Sequence, residues 1–322
     1  MKDPVVKIVC LATLLVATCA SAQQPYPSRL VRIISPQATG STIDAILRAV
    51  GTAFSERTGQ PVIVENRPGA NGIIALEACG RATPDGHTLC NLTSSAYLNP
   101  FLQAKMPFDL QKDFVPVSNL IMVPEMISVP VSLPVNTWNE LVAYSKANPG
   151  KLNYSGYGPG STPEMVFEWL RKNAGLNLTQ VPYKNVADGM RGFFTGETQV
   201  VLIGTSFLLP QLKAGKVKSL FIYADRRHPE APAVPTYAEA GAPDWNYRTW
   251  FGIGAPAGTP RSVVDRVASE FAAIMAVPAF RERVQTLGFE PATSSPEEYG
   301  RLLAATLVNA AVLVKTSGAK ID

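Results

Sequence analysis

Residues 30–59 read LVRIISPQATGSTIDAILRAVGTAFSERTG and pass from an apolar strand through a polar loop into a helix. The helix ends at Gly59, and its apolar positions recur at helical spacing: Ile43, Ile46, Leu47, Val50 and Phe54. Two more strands are predicted, at residues 62–64 and 87–92, with a helix ending near residue 81 between them. Strands that alternate with helices in this way indicate a parallel sheet covered by helices.

A second series of strands and helices follows a proline-rich stretch, residues 115–134, for which the pattern predicts no regular element. Strands are predicted near residues 152–154, 181–183, 200–203 and 217–223, and the chain returns through a strand at 250–255. Three helices close the sequence, and the last begins at a capping box from Ser295 to Glu298. We therefore expect an α/β fold with two lobes around a central cleft. Lobe one would comprise residues 23–124 plus 249–322, and lobe two residues 125–248.

The first 22 residues have the pattern of a secretory signal peptide. Lys2 and Lys7 precede an apolar run, and Ala20–Ala22 provides a cleavage site. The run is too short to cross a bilayer, which needs about 20 residues, and no later stretch is long and apolar enough. We expect an exported, soluble, periplasmic protein, with lipid attachment at Cys19 as the alternative.

Export affects the interpretation of the cysteines. Only Cys79 and Cys90 remain after removal of the signal, and two cysteines in an oxidising compartment can pair. The sequence favours the alternative, two separate buried thiols.

Composition excludes several classes of partner. The chain has 29 Lys and Arg against 25 Asp and Glu, a net charge of +4, with no runs of basic residues. A nucleic acid is therefore not the expected partner. With 46% hydrophobic residues in 322, the chain can build its core without a metal, and we expect a monomer without a cofactor.

The motifs of common enzyme classes are absent from the sequence. It contains no G-x-S-x-G elbow, no H-E-x-x-H motif, no Walker A loop and no C-x-x-C pair. His87 and His228 have no Cys or Ser partner nearby in sequence, so we expect both to be structural. A periplasmic hydrolase that uses Ser94 or Ser161 with His87 is the enzymatic alternative.

Two polar loops each join a strand to the start of a helix, one in each predicted lobe. They read PQATGSTID at residues 36–44 and SGYGPGST at residues 155–162. The free N–H groups and the dipole of a helix start favour anions, and open α/β sheets bind ligands at the carboxyl ends of their strands. We therefore expect the pair to hold a small carboxylate. The candidate residues are Thr39, Gly40, Ser41, Thr42, Asp44, Tyr157, Gly158, Gly160, Ser161 and Thr162.

Several motifs resemble those of the extracytoplasmic solute receptors of tripartite tricarboxylate transporters, the Bug family. Residues 64–72, VENRPGANG, are similar to the family's VENRPGAGG, and PDGHTL at 84–89 is similar to its PDGYTL. Further matches lie at residues 147–154, 181–184, 234–241 and 250–260. The resemblance implies a type II periplasmic-binding-protein fold that closes on a carboxylate-bearing solute and delivers it to the permease subunits in the membrane. A sensor kinase as the partner is the alternative.

Departures from the family pattern indicate the class of ligand. In members that bind amino acids, an acid near Ile203 holds the ammonium, so the apolar side chain here favours a ligand without an amine. Tyr157 offers a ring on which an aromatic ligand could stack, and Glu164 adds a negative charge. We expect Arg248 to pair with a second carboxylate. The other candidate residues for walls and polar contacts are Tyr97, Tyr183, Thr205, Ser206, Phe207 and Trp250.

Overall fold

The computed structural model describes residues 26–157 and 160–318. The predicted signal peptide with Cys19, and the candidate site residue Gly158, lie outside the described residues. Among the described residues, no helix combines the length and the apolar character that crossing a membrane requires.

The regular elements alternate along most of the chain. The strands are β1 (Val31–Ser35), β2 (Val62–Asn66), β3 (Thr88–Thr93), β4 (Phe114–Val123), β5 (Glu125–Pro130), β6 (Asn153–Gly156), β7 (Thr179–Pro182), β8 (Val201–Gly204), β9 (Val217–Tyr223), β10 (Thr249–Pro256) and β11 (Glu290–Pro291). The α-helices are α1 (Thr42–Thr58), α2 (Ile73–Gly80), α3 (Asn99–Leu102), α4 (Trp138–Ala147), α5 (Thr162–Ala174), α6 (Val186–Thr195), α7 (Thr205–Lys213), α8 (Arg261–Ala276), α9 (Pro278–Thr286) and α10 (Pro296–Ser317). Short 3-10 helices lie at Ala70–Gly72 and Ser94–Leu98.

The first sheet has the strand order β11-β4-β10-β3-β1-β2 and forms the centre of lobe one. β1 is parallel to β2 and β3, as predicted, whereas β10 is antiparallel to β3 and β4, so the sheet is mixed. Neighbouring side chains in a strand face opposite sides. Ile33 accordingly packs in one core with Leu47 of α1, while Ile34 packs in another core with Trp250.

The second sheet forms the centre of lobe two. β5 pairs antiparallel with β8 and β9, and a bridge from Tyr154 to Val200, the residue before β8, connects this sheet to the parallel pair β6 and β7. The larger hydrophobic core of lobe two contains Trp138, Phe167 and Phe221.

β4 and β5 carry the chain from lobe one into lobe two, and the sequence pattern does not predict them. Pro124 separates them, Pro116 lies within β4 beside an irregularity in its register with β10, and Pro130 ends β5. Proline is rare in the middle of a sheet because it donates no ladder hydrogen bond. Because of these prolines, the sequence of β4 and β5 has the pattern of an irregular segment.

The last helix, α10, contacts both lobes. Its predicted capping box is confirmed: Ser295 Oγ accepts the Glu298 N–H at 3.2 Å, and Glu298 Oε2 accepts the Ser295 N–H at 2.9 Å. Tyr299 near its start packs in a core of lobe one, whereas Leu313 and Val314 near its end pack in the larger core of lobe two.

Cys79 and Cys90 are joined by a disulfide. Cys79 lies near the end of α2, and Cys90 lies in β3 opposite Ile34 of β1, with 5.7 Å between the two cysteine Cα atoms. The structure therefore contains the pair, and our preference for two separate thiols is corrected.

Candidate functional site

A cleft of about 710 Å³ lies between the two lobes. Lobe one contributes the loop after β1 and the start of the 3-10 helix at residues 94–95. Lobe two contributes the loop after β6 and the starts of α6 and α7. Pockets for small ligands span roughly 300–1,000 Å³, so the cleft has the size of a small-molecule site.

α1 begins at this cleft. Ser41 is its N-cap, and its Oγ accepts the N–H of Asp44 at 3.2 Å. Thr42 and Ile43 line the cleft, and their N–H groups form no hydrogen bond with any described residue. The first N–H groups of a helix have no partner within the helix, and they carry a partial positive charge. The wall of lobe one therefore offers two unpaired donors.

The start of α5 in lobe two repeats part of this arrangement. The Gly160 N–H donates to Glu164 Oε2 at 2.9 Å, just as the Gly40 N–H donates to Asp44 Oδ2 at 2.9 Å. Gly40 and Gly160 have φ angles of +80° and +72°, a left-handed conformation that glycine adopts readily. Each glycine precedes a serine N-cap. The two predicted loops therefore share this glycine-to-acid hydrogen bond, but Ser161 makes no side-chain cap and Pro163 of α5 has no N–H. Thr162 at the start of α5 lines the cleft.

Two further helix starts reach the cleft, and neither belongs to the two predicted loops. Asn185 caps α6 by accepting the Asp188 N–H at 2.9 Å, and Val186 and Ala187 line the cleft. α7 begins there without a side-chain cap, and Ser206 is part of the wall. An Asn followed three residues later by an acid is an N-cap signal that could have predicted the start of α6.

The charge of the cleft comes from backbone groups and one carboxyl. Its described lining contains no lysine or arginine, and Glu125 is the one acidic side chain in it. Glu125 is 7% exposed, and its Oε2 has no hydrogen-bond partner among the described residues. Burial raises the pKa of this carboxyl to about 7, outweighing the lowering effects of the Thr249 hydroxyl and the Arg248 charge. Glu125 lies in the proline-rich stretch, where the sequence pattern gives no signal for a site residue.

Six of the residues predicted for the site line the cleft: Ser41, Thr42, Tyr157, Thr162, Ser206 and Phe207. The others have different positions. Thr39 and Gly40 are exposed beyond the wall, and Gly160 and Ser161 shape the second loop from outside the lining.

Asp44 holds the first loop together and is not part of the wall. Its buried carboxylate accepts hydrogen bonds from the Gly40 N–H at 2.9 Å, from Arg48 Nε at 3.0 Å and from Asn66 Nδ2 at 2.9 Å. Burial raises the pKa of Asp44, but these hydrogen bonds together lower it below its usual value. The prediction that Asp44 faces a ligand is therefore corrected.

Tyr97 and Trp250 do not form the expected apolar wall. They are buried in the core of lobe one with their ring centroids 5.5 Å apart, and Trp250 Nε1 donates to Thr306 at 3.0 Å. Since side chains alternate along a strand, the neighbours of Trp250 in β10, Thr249 and Phe251, face the cleft instead.

Arg248 also lies outside the cleft. Its guanidinium stacks over the ring of Tyr223 at 3.8 Å and pairs with Asp225 at 3.1 Å, beside a separate cavity of about 520 Å³. A second ligand carboxylate would therefore not meet it in this arrangement. Tyr183 packs against Gly192 of α6 and does not line the cleft. The buried Thr205 hydroxyl donates to the carbonyl of Gly288.

The residues of the alternative hydrolase do not meet. His87 Nε2 accepts the Ser28 N–H at 3.3 Å, and its Nδ1 lies 3.3 Å from Asp85 Oδ1, at the beginning of β3. Ser94 follows the other end of that strand, and its Oγ accepts the Trp250 N–H at 3.3 Å. Neither Ser94 nor Ser161 contacts a histidine among the described residues.

Comparison with known proteins agrees with this geometry. The family model described as "Tripartite tricarboxylate transporter family receptor" matches residues 46–319. A protein of Pseudomonas sp. strain P51, described as "UPF0065 protein in tcbD-tcbE intergenic region", is 32% identical over 290 residues, which are 90% of this chain and 86% of that one.

Two solved structures are also similar. An R. palustris protein in a structure with adipate is 30% identical, with a TM-score of 0.82 over 92% of this chain and all of that one. MatC from Rhodopseudomonas palustris with bound malate is 27% identical, with a TM-score of 0.76 over 90% of this chain and all of that one. With the sequence motifs, the two-lobed fold and the family match in agreement, the chain belongs to the receptor family of tripartite tricarboxylate transporters.

Proposed function

We propose that the protein binds a small carboxylate in the cleft and delivers it to the permease subunits of a tripartite transporter. The observation that carries this proposal is the pair of helix starts, α1 and α5, on the two sides of a cleft whose described lining contains no basic side chain. A carboxylate would supply acceptors for the unpaired N–H groups of Thr42 and Ile43, and such charge-assisted hydrogen bonds are stronger than neutral ones. Similar proteins are found with adipate and with malate.

We propose further that the ligand lacks an amine and carries an aromatic or otherwise apolar body. Phe207, Phe251 and Phe289 line the cleft together with Tyr157, and rings of this kind favour offset or edge-on contact with another ring. Ile203 is also part of the lining. An apolar group at this position does not compensate the desolvation of an ammonium.

The remaining features of the proposal follow from the receptor role. We propose that residues 1–22 are removed on export and that the mature protein acts in the periplasm as a monomeric binding protein without catalysis. The crossings of the chain at Pro124 and near Arg248 support lobe boundaries at residues 23–124 plus 249–322 and at 125–248.

A thermal-shift screen tests the proposed function. The panel is adipate, malate, citrate, the benzenedicarboxylates and glutamate. A ligand that binds only the folded protein stabilises it by about 2.7 kcal/mol at a hundredfold excess over Kd. We expect an amine-free carboxylate to raise the melting temperature and glutamate to leave it unchanged. Stabilisation by glutamate alone would contradict the amine-free ligand, and no stabilisation by any carboxylate would contradict the function.

A further inference from the structure

Glu125 is a buried carboxyl at the point where the chain enters lobe two. It is the first residue of β5, and its backbone lies opposite Gly204 of β8 and Tyr223 of β9, so the strand pairing on both sides fixes its position. The residue is 7% exposed, lines the cleft, and leaves Oε2 without a hydrogen bond among the described residues. An unsatisfied buried acceptor is unfavourable, and a proton on Oε2 would turn it into a donor that a ligand oxygen can accept.

The groups around Glu125 do not neutralise it. The titratable groups that interact with it are the hydroxyls of Tyr157 and Tyr247 and the guanidinium of Arg248. Tyr223 lies opposite it in β9, and the Tyr223 hydroxyl donates to Asp244. The facing segment of β8, residues 201–204, contains no titratable side chain. Arg248 is paired with Asp225 and forms no ion pair with Glu125 in the described structure. A carboxylate bound at the helix starts would therefore bring a second negative charge into the cleft.

We propose that Glu125 binds the ligand as a neutral carboxylic acid whose O–H donates a hydrogen bond to a ligand oxygen, so that the receptor takes up one proton with each ligand. The inference rests on the proposed function, because it requires the ligand to be a carboxylate. The proton comes from solvent and ends on Glu125, and no covalent bond to the ligand forms. When two carboxylates share one site, the pKa of one is strongly raised. Here a single proton on Glu125 removes the repulsion between its carboxylate and that of the ligand, and it gives the unpaired Oε2 a hydrogen to donate.

In the protein without ligand, Glu125 can take up this proton readily. Because burial raises the pKa of Glu125 to about 7, protonation near neutral pH costs little free energy. A ligand with an ammonium would instead keep Glu125 ionised, and its affinity would rise with pH. The two ligand classes therefore predict opposite pH dependences.

Titration calorimetry with adipate and the benzenedicarboxylates at pH 6 to 8.5 tests the inference. With a free pKa of about 7, we expect the Kd of the wild type to rise about 30-fold over this range. In buffers of different ionisation heat at pH 8, we expect uptake of about 0.9 proton per ligand. Glu125→Gln keeps a neutral hydrogen-bonding group and should bind with the same Kd at all pH values, within about threefold of the wild type at pH 6. Glu290→Gln, which changes a carboxyl in the separate cavity, should retain the wild-type profile.

The results distinguish a failure of the role of Glu125 from a failure of the proposed function. Tight carboxylate binding with a Kd that does not change with pH and without proton uptake would overturn the role of Glu125 and leave the proposed function intact. Affinity that rises with pH, or preference for glutamate that Glu125→Gln abolishes, would also overturn it. If no carboxylate binds the wild type at any pH, the proposed function fails and this inference fails with it. The wild-type pH profile and the proton count need no variant, so a folding defect in Glu125→Gln would not prevent the test.

Discussion

Replacing Glu125 by glutamine tests the burial of this carboxyl without any ligand. Its pKa rises from an unperturbed 4.5 to about 7 on folding, mainly because burial disfavours the charged form. At pH values between these two, the folded protein keeps a proton that the unfolded chain has released. The stability associated with the neutral acid is therefore complete below about pH 4.5 and is lost as the pH rises through 7. Glutamine cannot ionise, so its contribution does not change with pH.

The magnitude follows from the size of the pKa change. A difference of one unit in pKa corresponds to 1.36 kcal/mol, so complete ionisation of Glu125 lowers the free energy of unfolding by about 3 kcal/mol. Part of this loss is already present at pH 5. Between pH 5 and 8.5 we expect the unfolding free energy of the variant to increase relative to the wild type by about 2–3 kcal/mol.

Urea unfolding of both proteins at pH 5, 7 and 8.5 measures this difference. Burial lowers the pKa of His228, but this histidine is present in both proteins, so its titration cancels in the comparison. The reasoning would be refuted if the gap between the two unfolding free energies were the same at all three pH values.

Three other changes test separate parts of the structure. Reducing the Cys79–Cys90 disulfide should lower the unfolding free energy by about 3 kcal/mol, since it closes a short loop; two free thiols in the native oxidised protein would contradict the pairing. Asp44→Ala should cost about 2–3 kcal/mol in urea unfolding, because three donors lose a charged acceptor, and a cost below 1 kcal/mol would contradict its role in the loop. Phe207→Ala should weaken carboxylate binding about 5- to 30-fold in calorimetry through lost apolar contact. Phe194→Ala, a similarly exposed phenylalanine outside the cleft, should not weaken it; equal effects would contradict the assigned wall.

Local signals in the sequence predict much of the fold. The helical spacing from Ile43 to Phe54 corresponds to the face of α1 that is buried against β1. The capping box at Ser295 predicts the start of α10 to the residue. The two polar loops also lie where the sequence places them, because strand, loop and helix start are determined by neighbouring residues.

Features that depend on distant contacts are not predictable in this way. In β10, Trp250 and Phe251 are both apolar, so the pattern does not show which of them faces the core and which the cleft. The role of Asp44 depends on Asn66, 22 positions later in the chain. Glu125 follows a proline in a stretch without clear periodicity, and only the pairing of β5 with two other strands shows that its carboxyl is buried at the cleft.

The most direct test of the helix-start site is the affinity of Thr42→Pro. Proline at the first position of a helix removes one N–H and preserves the helix, and Ser41 already has the extended backbone, with ψ at 159°, that precedes a proline. Thr42→Ala is the matched control, since it loses the hydroxyl and keeps the N–H. With the tightest-binding carboxylate of the panel, calorimetry should show affinity about 10- to 150-fold lower for Thr42→Pro than for Thr42→Ala. Equal affinities in two folded variants would contradict the claim that this backbone donor binds the ligand.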